Sequence, residues 1–135
     1  MTTVESDIAE YLEDQSVGTV GTNIFCTGHW PNAPSLCMLV TAYGGMAPDT
    51  THDSKVVKRP GVQILTRGGL DTTDYATARA MADAASTALH AVTNTTIEGT
   101  VYLSIWAEQE PTYLGRPKGQ NARPMWSQNF SVMKR

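Results

Sequence analysis

Residues 59–92 constrain the fold more than any other stretch of this chain: RPGVQILTRGGLDTTDYATARAMADAASTALHAV. Gly61, Val62, Gln63, Ile64, Leu65, Thr66 and Arg67 form a run rich in β-branched and aliphatic side chains, entered through Pro60. Such a run suits a pleated, half-buried strand. Gly68-Gly69 ends it. Beyond the glycines, Tyr75, Ala78, Ala82, Ala85, Leu89 and Val92 recur by threes and fours, which stacks them on one helical face. The spacing predicts a strand over 62–67 and a helix over 72–92 docked against it. Thr72 or Thr73 is the expected cap, and Asp71 and Asp74 complement the helix dipole. The many alanines keep this helix thin enough to lie close to a sheet.

The remaining segments arrange themselves around that unit. A first helix is expected over 3–15, with Thr2 or Thr3 as cap and Val4, Ile8, Tyr11 and Leu12 as its apolar stripe. A short strand is expected over 23–27, then a proline-rich turn over 28–34 that cannot sit inside a sheet. The run 36–43 is apolar on both sides for most of its length and predicts a covered strand. Residues 44–60, GGMAPDTTHDSKVVKRP, show no periodicity and are expected to be a long loop, mobile in the free subunit. A turn is expected over 94–99. Strict alternation then predicts strands over 101–106 and 126–132, separated by a punctuated segment at 111–124 read as a strand end and a hairpin loop. The whole, residues 1–135, reads as one α+β domain: a mostly antiparallel β-sheet with two helices packed on it.

Composition excludes several classes. The hydrophobic fraction of 41% argues against disorder, and no apolar run nears the roughly 20 residues that span a bilayer, so no membrane partner is expected. The first residues, MTTVESDIAEYLED, have neither the basic nor the apolar region of a secretory leader, and the expectation is a cytoplasmic site of assembly. A net charge of −3 without a Lys/Arg stripe makes specific or non-specific DNA binding a poor reading, because such binding draws on phosphate neutralisation. Acids gather instead in the first helix, at Glu5, Asp7, Glu10, Glu13 and Asp14.

The sharpest chemical reading is a metal or thiol site. Cys26 and His29 have C-x-x-H spacing, and Cys37 and His52 could complete a set. Zinc sites use tight ligand pairs at both ends, and here the second pair is fifteen residues apart. Both cysteines also lie in apolar runs, where a free thiol behaves as a small hydrophobe. A thiol–imidazole pair with His29, His52 or His90 has no supporting local motif, and His90 suits the carbonyl end of the long helix. Gly68-Gly69 has the topology of a phosphate loop but neither of its motifs, and Asp71 with Asp74 would repel an anion. No catalytic residue, metal or cofactor is therefore assigned. Trp106 and Trp126 fit sheet packing, and Trp30, between a turn glycine and prolines, stays open.

With those residues in view, the chain resembles the minor capsid or tail-terminator family of long-tailed bacteriophages over nearly its whole length. The likeness rests on order and spacing: a leading helix, Trp30-Pro31, Gly44-Gly45 with Pro48, and Arg59-Pro60-Gly61-Val62-Gln63-Ile64 leading to Arg67-Gly68. Tyr75-Ala76, Leu114-Gly115 and Asn129-Phe130-Ser131-Val132 complete it. One departure is visible, because Arg116-Pro117-Lys118 follows the Leu-Gly pair where an acidic residue is expected. The resemblance implies a virion protein that forms a ring, usually of six copies, at the head-proximal end of the tail tube. Its implied partners are itself, the tail-tube protein below and a head-completion or connector protein above, with DNA passing through unbound. The 44–60 and 115–124 segments are the expected contacts, which nominates Asp49, His52, Lys55, Lys58, Arg59, Arg116, Lys118 and Arg123. A head-completion or stopper protein of the neck is the near alternative. A small enzyme or ligand-binding domain using Cys26, His29 and His52 is the distant one.

Overall fold

A computed structural model describes residues 3–29, 31–32, 34–50, 56–71, 73–116 and 123–135. Its elements run α1 (Val4–Asp14), β1 (Ile24–Phe25), β2 (Cys37–Thr50), β3 (Val56–Arg67), α2 (Asp74–Leu89), β4 (Val92–Ile97), β5 (Thr100–Ala107), β6 (Thr112–Gly115) and β7 (Met125–Lys134). The strands join in one sheet of order β1-β2-β3-β7-β5-β4, with β6 pairing the start of β7. Only the β1–β2 pairing is parallel; the others are antiparallel. The expected α+β architecture is the observed one.

Both helices lie on one face of this sheet. Val4, Ile8, Ala9 and Leu12 of α1 and Met81, Ala85 and Leu89 of α2 share a core with Met38, Val40, Val62, Ile64, Ile105, Phe130 and Val132. Thr3 caps α1 by a reciprocal pair: its Oγ1 accepts from the Ser6 amide at 3.3 Å, and Ser6 Oγ accepts from the Thr3 amide at 3.0 Å. Helix α2 carries the alanine face read from the sequence, with Ala78, Ala82 and Ala85 buried. Its thinness has a direct consequence, since the Gln128 side chain reaches from β7 to donate to the Ala82 carbonyl at 3.1 Å. Thr73 stands at the N-cap without a side-chain bond, Thr72 lies outside the described residues, and Asp74 accepts from the Asp71 amide instead.

Three expectations need correction. The segment 44–60 is not a loop, because β2 continues to Thr50 and β3 begins at Val56. Two register shifts, between Tyr43 and Met46 and between Met46 and Asp49, break the period of two, and exposure on both faces removes any hydrophobic pattern. Residues 51–55 lie outside the described residues, so the expected mobility there goes untested. The turn expected over 94–99 is mostly strand β4, and the chain reverses only at Glu98 and Gly99, whose φ values of 49° and 82° suit a tight hairpin turn. Helix α2 consequently stops at Leu89, and Val92 is a buried strand residue opposite Ile105. Thr-rich β-branched sequence outweighs the turn propensity of Asn94 in this segment.

One buried polar contact fastens α1 to the sheet. The Tyr102 hydroxyl donates to Asp7 Oδ2 at 2.6 Å, with both residues fully buried, while Asp7 Oδ1 has no partner. Burial first, and the Asp7 carboxylate second, push the Tyr102 phenol well above its usual range. Substituting Tyr102→Phe strands the carboxylate and should cost about 2–3 kcal/mol. The sign with pH follows from the raised phenol. The folded state holds this proton where the unfolded chain, near its ordinary value of about 10, releases it. The stabilisation is therefore complete below about pH 10 and is lost as pH rises towards the folded value. Denaturant melts across that range should show wild-type stability falling faster with alkali than that of Tyr102→Phe.

Candidate assembly surface

Past Tyr43 the two longest strands leave the helix-backed body and form an arm. Residues from Tyr43 to the end of β2 are exposed, and Met46 at 67% and Val56 at 44% exposure are large apolar side chains given to solvent. Gly45 makes the arm possible. It sits at φ +63°, and a Cβ there would fall inside contact distance of the Arg59 carbonyl and the Pro60–Gly61 backbone. The arm is tied by an ion pair, Arg59 Nη2 to Asp49 Oδ2 at 2.5 Å, while Arg59 Nε is buried without a partner.

The root of the arm carries an aromatic shelf on the face that bears no helix. Register aligns Tyr43, Gly61, Ser131 and Trp106 in one row across four strands. The Tyr43 ring lies over Gly61, where any Cβ would collide with it. Its hydroxyl points at Glu108 Oε1 at 3.5 Å, and Ser131 Oγ donates to the same oxygen at 2.6 Å. Burial, then the Glu108 carboxylate, raises the Tyr43 phenol. Tyr43 and Trp106 keep 40% and 39% exposure, so this is an accessible surface and not a core. Sequence reading missed it because Trp106 follows the strand alternation and looks like ordinary sheet packing. The available signal was that Trp106 alternates against Ile105, which faces the helices.

The nominated residues divide between two ends of the sheet. Asp49, Lys58 and Arg59 belong to the arm, with Lys58 directly opposite Lys134 of β7. Arg116 follows β6, whose Gly115 pairs with Met125, and Arg123 precedes β7; both therefore sit at the far end, beside Cys37 and Arg67. At roughly 3.3 Å per residue, β2 alone separates these ends by about 40 Å. The Arg123 Nε is buried without a partner, so this side chain is partly interior. His52, Lys55 and Lys118 lie outside the described residues.

Among the described residues nothing in the geometry unites Cys26, His29 and Cys37, and His52 lies outside them. Cys26 packs against the helix-side core, whereas Cys37 belongs to a small cluster with Leu39 and Met125 on the opposite face. Burial raises both thiols; acids Glu5 and Glu10 add to it at Cys26, while Arg67 and Arg123 oppose it at Cys37. A thiol whose pKa is raised holds less of the thiolate that acts as nucleophile. Among the described residues no group of three or more His, Cys, Asp and Glu side chains gathers as a metal site. His90 does not serve the helix end with a ring donor, because its Nδ1 accepts the Ala107 amide at 3.0 Å and links α2 to β5. Gly68-Gly69 is a turn, with the Asp74 carboxylate occupying the space beside Gly69. Trp126 is packed as expected, in a cluster with Tyr75 and Tyr113 at ring distances of 5.0 and 5.1 Å, with the Arg79 guanidinium 4.8 Å from its ring centroid.

Comparison with known proteins agrees with a structural reading. A family model described as bacteriophage tail terminator protein matches residues 11–134. A similar solved structure is a chain of the virion of a native gene transfer agent particle, with a TM-score of 0.66 at 13% identity over 97% of this chain and 93% of that one. At that identity the second likeness establishes the fold alone. No match is found among curated protein sequences.

Gly45→Ala tests the arm. The substitution forces a side chain into a left-handed conformation against backbone, at a cost of about 2 kcal/mol or more. Hydrogen exchange should quicken across 43–50 and 56–61 while amides of α1 and α2 keep their protection.

Proposed function

The chain belongs to the bacteriophage tail terminator family, and from that membership we propose that copies of it close into a ring on the head-proximal end of the tail tube. A structural part in completing the tail goes with the family itself. The ring, of about six copies as such assemblies usually have, would end tube polymerisation and offer the head-completion protein its seat. The match over residues 11–134 carries this reading.

Physical features of the subunit support it. A closed ring is built from heterologous contacts, which need two unlike patches on each subunit. The separation of Asp49, Lys58 and Arg59 from Arg116 and Arg123 supplies unlike ends, and we propose these residues, with His52, Lys55 and Lys118, as the contact set. The sheet margins are poorly suited to uncontrolled strand addition. Strand β2, an edge beyond its short pairing with β1, carries two register shifts and Pro48, and outer strand β4 is interrupted by Asn94 at φ 44°. Assembly in the host cytoplasm and passage of DNA through the bore without specific binding complete the proposal; a net charge of −3 is compatible with the latter.

Electron microscopy of particles made with the gene disrupted separates the possibilities. Overlong, headless tails are the expected outcome. Tails of normal length beside unjoined full heads would move the protein to head completion. Intact virions would end both readings.

A further inference from the structure

We infer that the aromatic shelf of one subunit receives the Lys58–Lys134 pair of the next, so that the two faces of the arm's root are the two halves of a single head-to-tail contact. The inference rests on the proposed ring and names the residues that close it.

The shelf is an acceptor for a cation. Glu108 is exposed, and among the described residues its Oε1 is met by the neutral hydroxyls of Ser131 and Tyr43, at 2.6 and 3.5 Å. Arg59 borders the same groove, but its charge is answered by Asp49 at 2.5 Å. The uncompensated charge on the shelf is therefore the carboxylate, flanked by the faces of Tyr43 and Trp106 and by exposed Met46. Aromatic faces around a carboxylate favour an ammonium or guanidinium that carries an aliphatic stem. Exposed tryptophan and tyrosine beside a flexible methionine are also the side chains that dominate binding energy when an interface covers them.

The complementary patch lies on the other side of the same strands. Lys58 and Lys134 are register partners across β3 and β7, a like-charged pair placed side by side. Among the described residues, no carboxylate is paired with either. Lys58 is three positions from Gly61, and Lys134 three from Ser131, so alternation turns both lysines to the face opposite the shelf. A contact between opposite faces cannot be satisfied twice by one pair of subunits, as a two-fold dimer would be. It leaves one face open on each copy, and only a closed cycle uses all of them. Like charges directly opposite across a sheet are unfavourable, and the Glu108 carboxylate of a neighbour would offset them. Charge complementarity thus selects a second copy of this chain as the occupant.

Cysteine pairing in assembled particles tests the contact. Full-length protein carrying both Lys58→Cys and Glu108→Cys, incorporated into particles and oxidised, should run as a ladder of covalent multimers on a non-reducing gel. Each single variant should run as monomer. Monomer alone from the double variant, in particles that mass spectrometry shows to hold several copies, would overturn the contact and leave the ring reading standing. One copy per particle would remove both. Charge exchange guards against a variant that merely fails to incorporate. Glu108→Lys alone, and Lys58→Glu with Lys134→Glu alone, should each abolish incorporation, and the combination should restore it. A combined variant that folds by circular dichroism yet stays unincorporated would count against the contact.

Discussion

A single buried guanidinium holds together the part of the sheet from which everything else is laid out. Arg67 ends β3 at a position opposite both Cys37 of β2 and Met125 of β7, and it is 1% exposed. Its Nε donates to the Ser35 carbonyl at 3.1 Å, and its Nη2 donates to the carbonyls of Pro31 and Pro34 at 2.6 and 3.0 Å. The need for these donors is topological. Strands β1 and β2 are parallel, so the chain between them must travel back along the sheet without ladder partners. Proline cannot donate, and the carbonyls it leaves behind need hydrogen from elsewhere. A planar fork with five donors can meet three carbonyls from one direction, which an ammonium cannot do. Desolvation makes the buried cation costly, and that burial lowers the Arg67 pKa first, with Cys37 pulling against it. Charge-assisted bonds of about 1.5–3 kcal/mol each offset that cost.

From this anchored end the two faces of the sheet diverge in purpose. One is apolar and covered, with α1 fixed by the Asp7–Tyr102 bond and α2 drawn in close by its alanines. On the other, Cys37, Leu39, Leu65 and Met125 form a small cluster near Arg67. Thr41, Gln63 and Asn129 follow, half-buried and uncharged, and then the row of Tyr43, Ser131 and Trp106 with its exposed aromatics. A face this polar needs no helix to cover it, and the aromatic row that ends it is left for another surface. The stability of the subunit thus resides largely in the helix-covered face and the Arg67 end, and the aromatic row at the root of the arm is left exposed.

How much of this could be read from residues alone depends on whether burial writes a period into the sequence. Where one face is buried the pattern is legible in the alanine seam of α2 and the alternation of β7, whereas in β5 a register shift between Tyr102 and Ser104 turns Tyr102 inward with Ile105, against the expected core face of Val101, Leu103 and Ile105. The 59–92 unit is present with its strand, glycine turn and helix in order. Where neither face is buried the pattern vanishes, and the arm reads from its residues as a loop. Pro60 reinforced the error, yet it falls where the β2–β3 and β3–β7 ladders both skip a residue and no amide is required. In β4 the misleading signal was Asn94, a turn former held at φ 44° inside an edge strand. The contact set suffered differently. Charged residues in the 44–60 and 115–124 segments carry no mark in the sequence that the sheet sends them to opposite ends. Glu108, which follows the end of β5, acquires its meaning only from the row of residues beside it.

The same features that hid the arm bear on how an assembly can be made to stop. A regular, exposed edge strand is a template, and each added strand presents another like it. Register shifts at Met46 and Asp49, a proline at position 48 and a kinked β4 deny that repetition at both margins of the sheet. Contacts between copies must then be made by side chains on defined faces, whose geometry can close on itself and whose charges are used up in closing. In the proposed ring, Glu108 of each copy would meet the paired lysines of the next, leaving no unsatisfied member of the set to recruit another. Irregular strands and a matched pair of faces are, on this argument, one device: the first forbids open-ended addition, and the second gives the subunits a finite way to associate.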